Sequence, residues 1–131
     1  MHRLALVFLA VVLAGVSVKP GVIRADGALA IGSTAEDDGY GFAIGKSSAG
    51  IAQSDALAEC RETSAAPDCR IVETFSKKCV AVAFAPENVT GFGWSVADTL
   101  QLAEQQAKDR CTAQSDGARQ QGCTIDASGC D

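Results

Sequence analysis

Apolar residues along this chain fall into three kinds of run. The first is unbroken: Leu4 to Val18 contains only apolar or small residues and stops at Lys19-Pro20. The second alternates, as in Ala28-Leu29-Ala30-Ile31 and Val80-Ala81-Val82-Ala83-Phe84. Alternate residues of a strand point to opposite faces, so both stretches predict strands. The third recurs every three or four positions, at Ala49, Ala52, Ala56 and Cys60 and again at Leu100, Ala103, Ala107 and Cys111. That spacing lines one face of a helix. Both stripes are mostly alanine, which lets a helix approach a sheet closely. Ser47 or Ser48 fits an N-cap for the first helix, and Asp98 with Gln101 fits a capping box for the second.

These patterns occur twice in the same order. Gly39-Tyr40-Gly41-Phe42 returns as Gly91-Phe92-Gly93-Trp94 at an offset of 52, and the helical stripes repeat at an offset of 51. Cys69-Arg70-Ile71 corresponds to Cys123-Thr124-Ile125 at 54, and Cys79 to Cys130 at 51. Each half therefore predicts strand, strand, helix, strand. The halves run over about residues 27–79 and 80–130. Turns are expected at Pro67-Asp68, at Asn88 to Thr90 and at 117–122. The expected fold is α+β: two ββαβ-like pseudo-repeats forming an antiparallel sheet with two helices.

The unbroken run changes what counts as the domain. His2 and Arg3 supply a basic start, Leu4 to Val18 an apolar middle, and Ile23-Arg24-Ala25 a small residue before Asp26. This is the pattern of a cleaved secretory signal over 1–25, leaving 26–131 as one exported domain, periplasmic or extracellular. A membrane span needs about 20 apolar residues, and Lys19-Pro20 arrives too early. No cysteine lies in 1–25 for a lipid anchor. Removing three of the 11 basic residues leaves eight against 16 acidic ones, a formal charge of −8. The remaining cations are scattered, which disfavours nucleic acid and, after cleavage, an anionic membrane surface. The only histidine, His2, would leave with the signal, and with it Ser-His or Cys-His catalysis and the commonest metal ligand.

Six cysteines in an exported chain of this size read as a disulfide framework, although six allow 15 pairings. The repeat selects among them. Cys60 and Cys111 each end a helix, and Cys69 and Cys123 each open the next strand, so Cys60–Cys69 and Cys111–Cys123 serve both halves alike. Cys79 and Cys130 remain, and pairing them would tie one half to the other. No Cys-x-x-Cys is present for a redox site, and the spacings do not suit zinc.

Taken together, several segments resemble the domain of unknown function 4189 family. They are Gly27-Ala28-Leu29-Ala30-Ile31, Gly39-Tyr40-Gly41-Phe42, Ala56-Leu57-Ala58-Glu59-Cys60, Cys69-Arg70-Ile71-Val72, Gly91-Phe92-Gly93-Trp94 and Cys123. The resemblance spans nearly all of 26–131. It implies an exported bacterial domain with paired cysteines and carries over no activity and no catalytic residue. Gly50 inside the first helix, the acidic loop Glu36-Asp37-Asp38 and the loop 115–122 depart from the usual pattern.

Tyr40, Phe42, Phe92 and Trp94 are the candidate partner-binding residues. Their alternation equally suits a core, with Gly41 and Gly93 leaving room for close packing. Glu36-Asp37-Asp38 lacks the spacing of a calcium loop, and a pair of carboxylates is inevitable among 16 acids. Asn88-Val89-Thr90 matches a glycosylation sequon and reads as turn chemistry. No catalytic residue, metal or cofactor is expected. The expected function is a non-catalytic binding module for an unknown protein or envelope component. The alternatives are a secreted effector or inhibitor acting on another cell, and a hydrolase using carboxylates or Tyr40.

Overall fold

A computed structural model describes residues 26–33, 38–63, 68–87, 89–115 and 122–131. The expected signal segment 1–25, Glu36, Asp37, Pro67, Asn88 and most of the loop before Gly122 lie outside the described residues. Strand β1 (Asp26–Ser33) and β2 (Asp38–Lys46) precede helix α1 (Ala49–Thr63) and β3 (Arg70–Phe75). Then β4 (Cys79–Phe84), β5 (Phe92–Ala97), α2 (Leu100–Gln114) and β6 (Thr124–Cys130) repeat the order. The expected antiparallel sheet forms as two three-stranded sheets, ordered β2-β1-β3 and β5-β4-β6. In each, the first strand of the ββαβ unit lies in the middle and is paired on both sides.

Alternation along the central strands decides how the layers stack. Ala28 and Ala30 of β1 pack with Ala43 beneath Ala52, Ala56 and Cys60 of α1. Ala81 and Ala83 of β4 do the same beneath Ala103, Ala107 and Cys111 of α2. The intervening large residues, Leu29 and Ile31 of β1 and Val80 and Val82 of β4, meet between the sheets with Phe75 and Phe92. The layers therefore run helix, sheet, sheet, helix, with small residues under each helix and large ones between the sheets. Leu29, Val80 and Val82 are fully buried. Each such side chain contributes about 1.5–3 kcal/mol.

Two glycines set the helix–sheet distance. A Cβ on Gly41 would overlap the Ala56 carbonyl oxygen and the Cys60 backbone nitrogen, and one on Gly93 would overlap the same groups of Ala107 and Cys111. The glycines of the aromatic motifs are thus where each helix backbone crosses its second strand. Leu100, 39% exposed, stands off the buried face of α2 although it opens the sequence stripe.

The helix starts are satisfied by hydroxyls. Ser48 Oγ accepts from the Ile51 amide at 3.2 Å, and Thr99 is the N-cap of α2, accepting from Leu102 at 3.2 Å. Asp98 does not form the expected capping box. Its carboxylate takes Lys78 Nζ at 2.6 Å instead, and that ammonium holds its pKa below the usual value.

Disulfides join Cys60 to Cys69, Cys111 to Cys123 and Cys79 to Cys130. The first two clip the end of each helix to the strand that follows. The third does not tie one half to the other as the sequence order implied. Cys79 opens β4, the central strand of the second sheet, and lies directly opposite Cys130 of β6 in that same sheet. The boundary near 79 falls inside the strand start, so both cysteines belong to the second unit. Three disulfides point to an oxidising, non-cytoplasmic environment. Among the described residues, no helix is long and apolar enough to cross a membrane.

Candidate functional site: a polar cleft at the seam of the two units

Strands β2 and β5 are sheet edges, and their outward backbone groups need partners. In the first unit, Glu59 Oε2 accepts from the Phe42 amide at 3.0 Å, and the Thr63 hydroxyl donates to the Tyr40 carbonyl at 2.7 Å. In the second, Arg110 donates to the Trp94 carbonyl at 2.7 Å and lies 5.7 Å from the Trp94 ring centroid. Glu59 and Arg110 occupy the same helix position, since each directly precedes the bridged cysteine that ends the buried face. One blocks an edge amide and the other an edge carbonyl, with opposite charge. Both close an edge that would otherwise be open to strand addition.

Closing β2 in this way builds one wall of a cleft. It has a volume of about 280 Å³ and is lined by Asp38, Gly39, Tyr40, Glu59, Thr63, Phe84 and Asp126. Asp126 comes from β6 of the second unit, so the cleft lies where the units meet. The Tyr40 hydroxyl donates to Asp126 Oδ2 at 2.6 Å. Burial raises the Tyr40 pKa far above its ordinary value, reinforced by that hydrogen bond and by the charges of Asp126 and Glu59. The phenol is therefore held protonated. Asp38 Oδ1 in turn accepts from Ser33 Oγ at 2.8 Å.

The four candidate aromatics separate into different surroundings. Tyr40 and Phe42 stack at 6.3 Å between centroids, Tyr40 reaches Phe84 at 6.0 Å, and Phe84 reaches Phe92 at 5.0 Å. Phe92 is buried between the sheets, and Tyr40, Phe42 and Trp94 are half-buried against that core. Of the four, only Tyr40 lines the cleft. Asp126, Glu59, Thr63 and Phe84 were not singled out by sequence reasoning. A signal for Asp126 existed: aligning Ile71 with Ile125 places it opposite Val72, a residue of the inter-sheet core. A carboxylate where the other unit has a core valine marks a break in the repeat.

A second hollow, of about 290 Å³, lies on α2 between Thr99, Gln101, Leu102 and Gln105. Beside it, Leu100 and Leu102 are exposed, as is Ile51 on α1. Among the described residues, no grouping of three or more His, Cys, Asp or Glu side chains converges to hold a metal ion. The cleft can accept hydrogen bonds and positive charge at its carboxylates and can face an apolar group with Tyr40 and Phe84.

The sequence profile of the family described as Domain of unknown function (DUF4189) matches residues 27–130. No curated protein and no solved structure matches the chain.

Proposed function

The chain belongs to the domain of unknown function 4189 family, and on that premise we propose that it is an exported, non-catalytic binding module whose partner docks at the Tyr40–Asp126 cleft. The observation that carries this reading is the state of the cleft's polar groups. Tyr40 is protonated and engaged with Asp126, Glu59 is committed to the Phe42 amide, and Asp38 to Ser33. A general base or nucleophile has to be available to a substrate proton or centre. These groups are instead fixed by the fold, which suits recognition more than turnover. Three carboxylates beside two aromatic rings complement a lysine or arginine side chain of a protein or envelope component. Export rests on the disulfides and on the expected signal segment 1–25.

The test is cross-linking capture of partners from an envelope fraction, comparing the wild type with Tyr40→Phe and Asp126→Asn. Retention by the wild type and loss by both variants, with folding intact, is expected. Equal retention by all three proteins removes the cleft from the interaction. Finding the protein reduced and unprocessed in the cytoplasm removes export.

A further inference from the structure

The three disulfides are not equally placed. The helix-side partners Cys60 and Cys111 are fully buried, Cys123 is 9% exposed and Cys79 6%. Cys69 is half-buried, and Cys130 alone of the six stands exposed. Cys79–Cys130 is therefore the one bridge with an exposed cysteine, on its Cys130 side.

It is also the bridge with no disulfide counterpart in the first unit. Register shows which positions correspond, because Ala30 pairs with Ile71 as Ala83 pairs with Ile125. Counting back along the central strands, Cys79 falls on Asp26, and counting forward along their partners, Cys130 falls on Ser76. The first unit keeps its three strands and covering helix with an aspartate and a serine, rather than a disulfide, at those positions. The two helix-end bridges, by contrast, occur in both units. What the third bridge does hold is the segment beside it. The Asp131 amide donates to the Lys78 carbonyl at 3.0 Å, and Asp131 Oδ1 accepts from the Gly45 amide of the first unit at 3.1 Å. Cys130 thus anchors a polar contact across the seam, at the far end of β2 from Tyr40.

We infer that Cys79–Cys130 is a thiol-exchange site: a thiol opens this bridge within the folded domain and so loosens the seam between its two units. The thiolate attacks Cys130 Sγ, the S–S bond breaks, and Cys79 leaves as a thiolate that takes a proton from water. A mixed disulfide now sits on Cys130. A second thiolate attacks the thiol-derived sulfur of that mixed disulfide and releases Cys130 as a thiolate. The protein bridge gains two electrons, and two equivalents of thiol become one disulfide. Neither helix-end bridge has an exposed cysteine on either side, which slows the in-line approach to sulfur that exchange requires.

The experiment treats the oxidised protein under native conditions with glutathione in one arm and a thioredoxin-type dithiol protein in the other. It is quenched by alkylation at intervals and mapped by peptide mass. The expected result in at least one arm is labelling of Cys79 and Cys130 together, faster than any other cysteine by on the order of tenfold or more. The arm that gives it identifies a small thiol or a protein dithiol as the reductant. Hydrogen exchange on the opened species should show the Gly45 amide exposed while the Phe42 amide, held by Glu59, keeps its protection. Two single variants supply an independent reading. Cys79→Ser, leaving the exposed Cys130 thiol, should form a mixed disulfide with glutathione disulfide on the order of tenfold faster than Cys130→Ser. First labelling at Cys60, Cys69, Cys111 or Cys123, loss of all three bridges at once, or equal reactivity of the two variants overturns the inference. So does a bridge that neither thiol opens before the protein unfolds.

Discussion

At the scale of single residues, the chain supplies its own probe of the cleft. Tyr40 is the one tyrosine in the sequence, so phenolate absorbance reports on it alone. Burial first, then Asp126 and Glu59, hold its proton. Its titration should begin well above the ordinary value of about 10. A phenol whose pKa is raised by folding adds stability that is fully present below about pH 10 and is lost as the pH rises toward the folded value. Denaturation midpoints should accordingly fall with rising pH above that point. In Asp126→Asn the absorbance midpoint should move down but stay above the ordinary value, because the burial remains. An ordinary midpoint in the wild type would mean that the phenol is solvated. Asp126 shows why the site was only partly legible. Tyr40 stood out as an aromatic, but its partner is one acid among 16 and lies 86 residues away.

At the scale of elements, the fold is most legible where one chemical preference dominates. Alternating alanine and large residues in β1 and β4 fixed both the strands and their two faces. Alanine at Ala52, Ala56, Ala103 and Ala107 fixed the helices. Capping was less legible, since Asp98 and Thr99 are both able caps and the choice turned on Lys78 drawing Asp98 away. The glycines of the aromatic motifs yield a sharp contrast. Gly93→Ala places a methyl group on the backbone of α2 and should cost at least the 1–3 kcal/mol typical of overpacking, roughly at the upper end. In α1, Gly50 is exposed and a Cβ there meets only Ser48 Oγ at 4.0 Å, so Gly50→Ala should stabilise by up to about 1 kcal/mol. Urea denaturation of the two variants measures both. A neutral Gly93→Ala would mean that helix and sheet can separate without penalty.

At the scale of the whole molecule, cysteine order along the repeat was enough to write down three pairs but not to say which strands the last pair joined. Strand pairing is a tertiary fact, and Cys79 sits at the boundary where β3 ends and β4 begins. The bridges close loops of different length, with sequence separations of 9, 12 and 51. If they act by restricting the unfolded chain, removing Cys60–Cys69 or Cys111–Cys123 as alanine pairs should cost about 3 kcal/mol, and removing Cys79–Cys130 about 4 kcal/mol. The third loss should leave the folded topology in place, since the first unit has the same topology with no disulfide at that position. Chemical denaturation of the three double variants gives the order. A larger loss for a short loop would place the stabilisation in native packing instead.

The two units also differ in bulk at corresponding positions. Register makes Gly27 the counterpart of Val80 and Phe75 the counterpart of Gly129. The Phe75 ring fills the space above Gly27, while Gly129 makes way for Ile44 of the opposite unit. Each unit is thus large where the other is small. Two copies of the first unit would set Phe75 against Ile44, where the second unit offers Gly129. At this contact the two units therefore meet as unlike halves. A bulky side chain at position 129, which would make the units alike there, works against the packing of Ile44 between them.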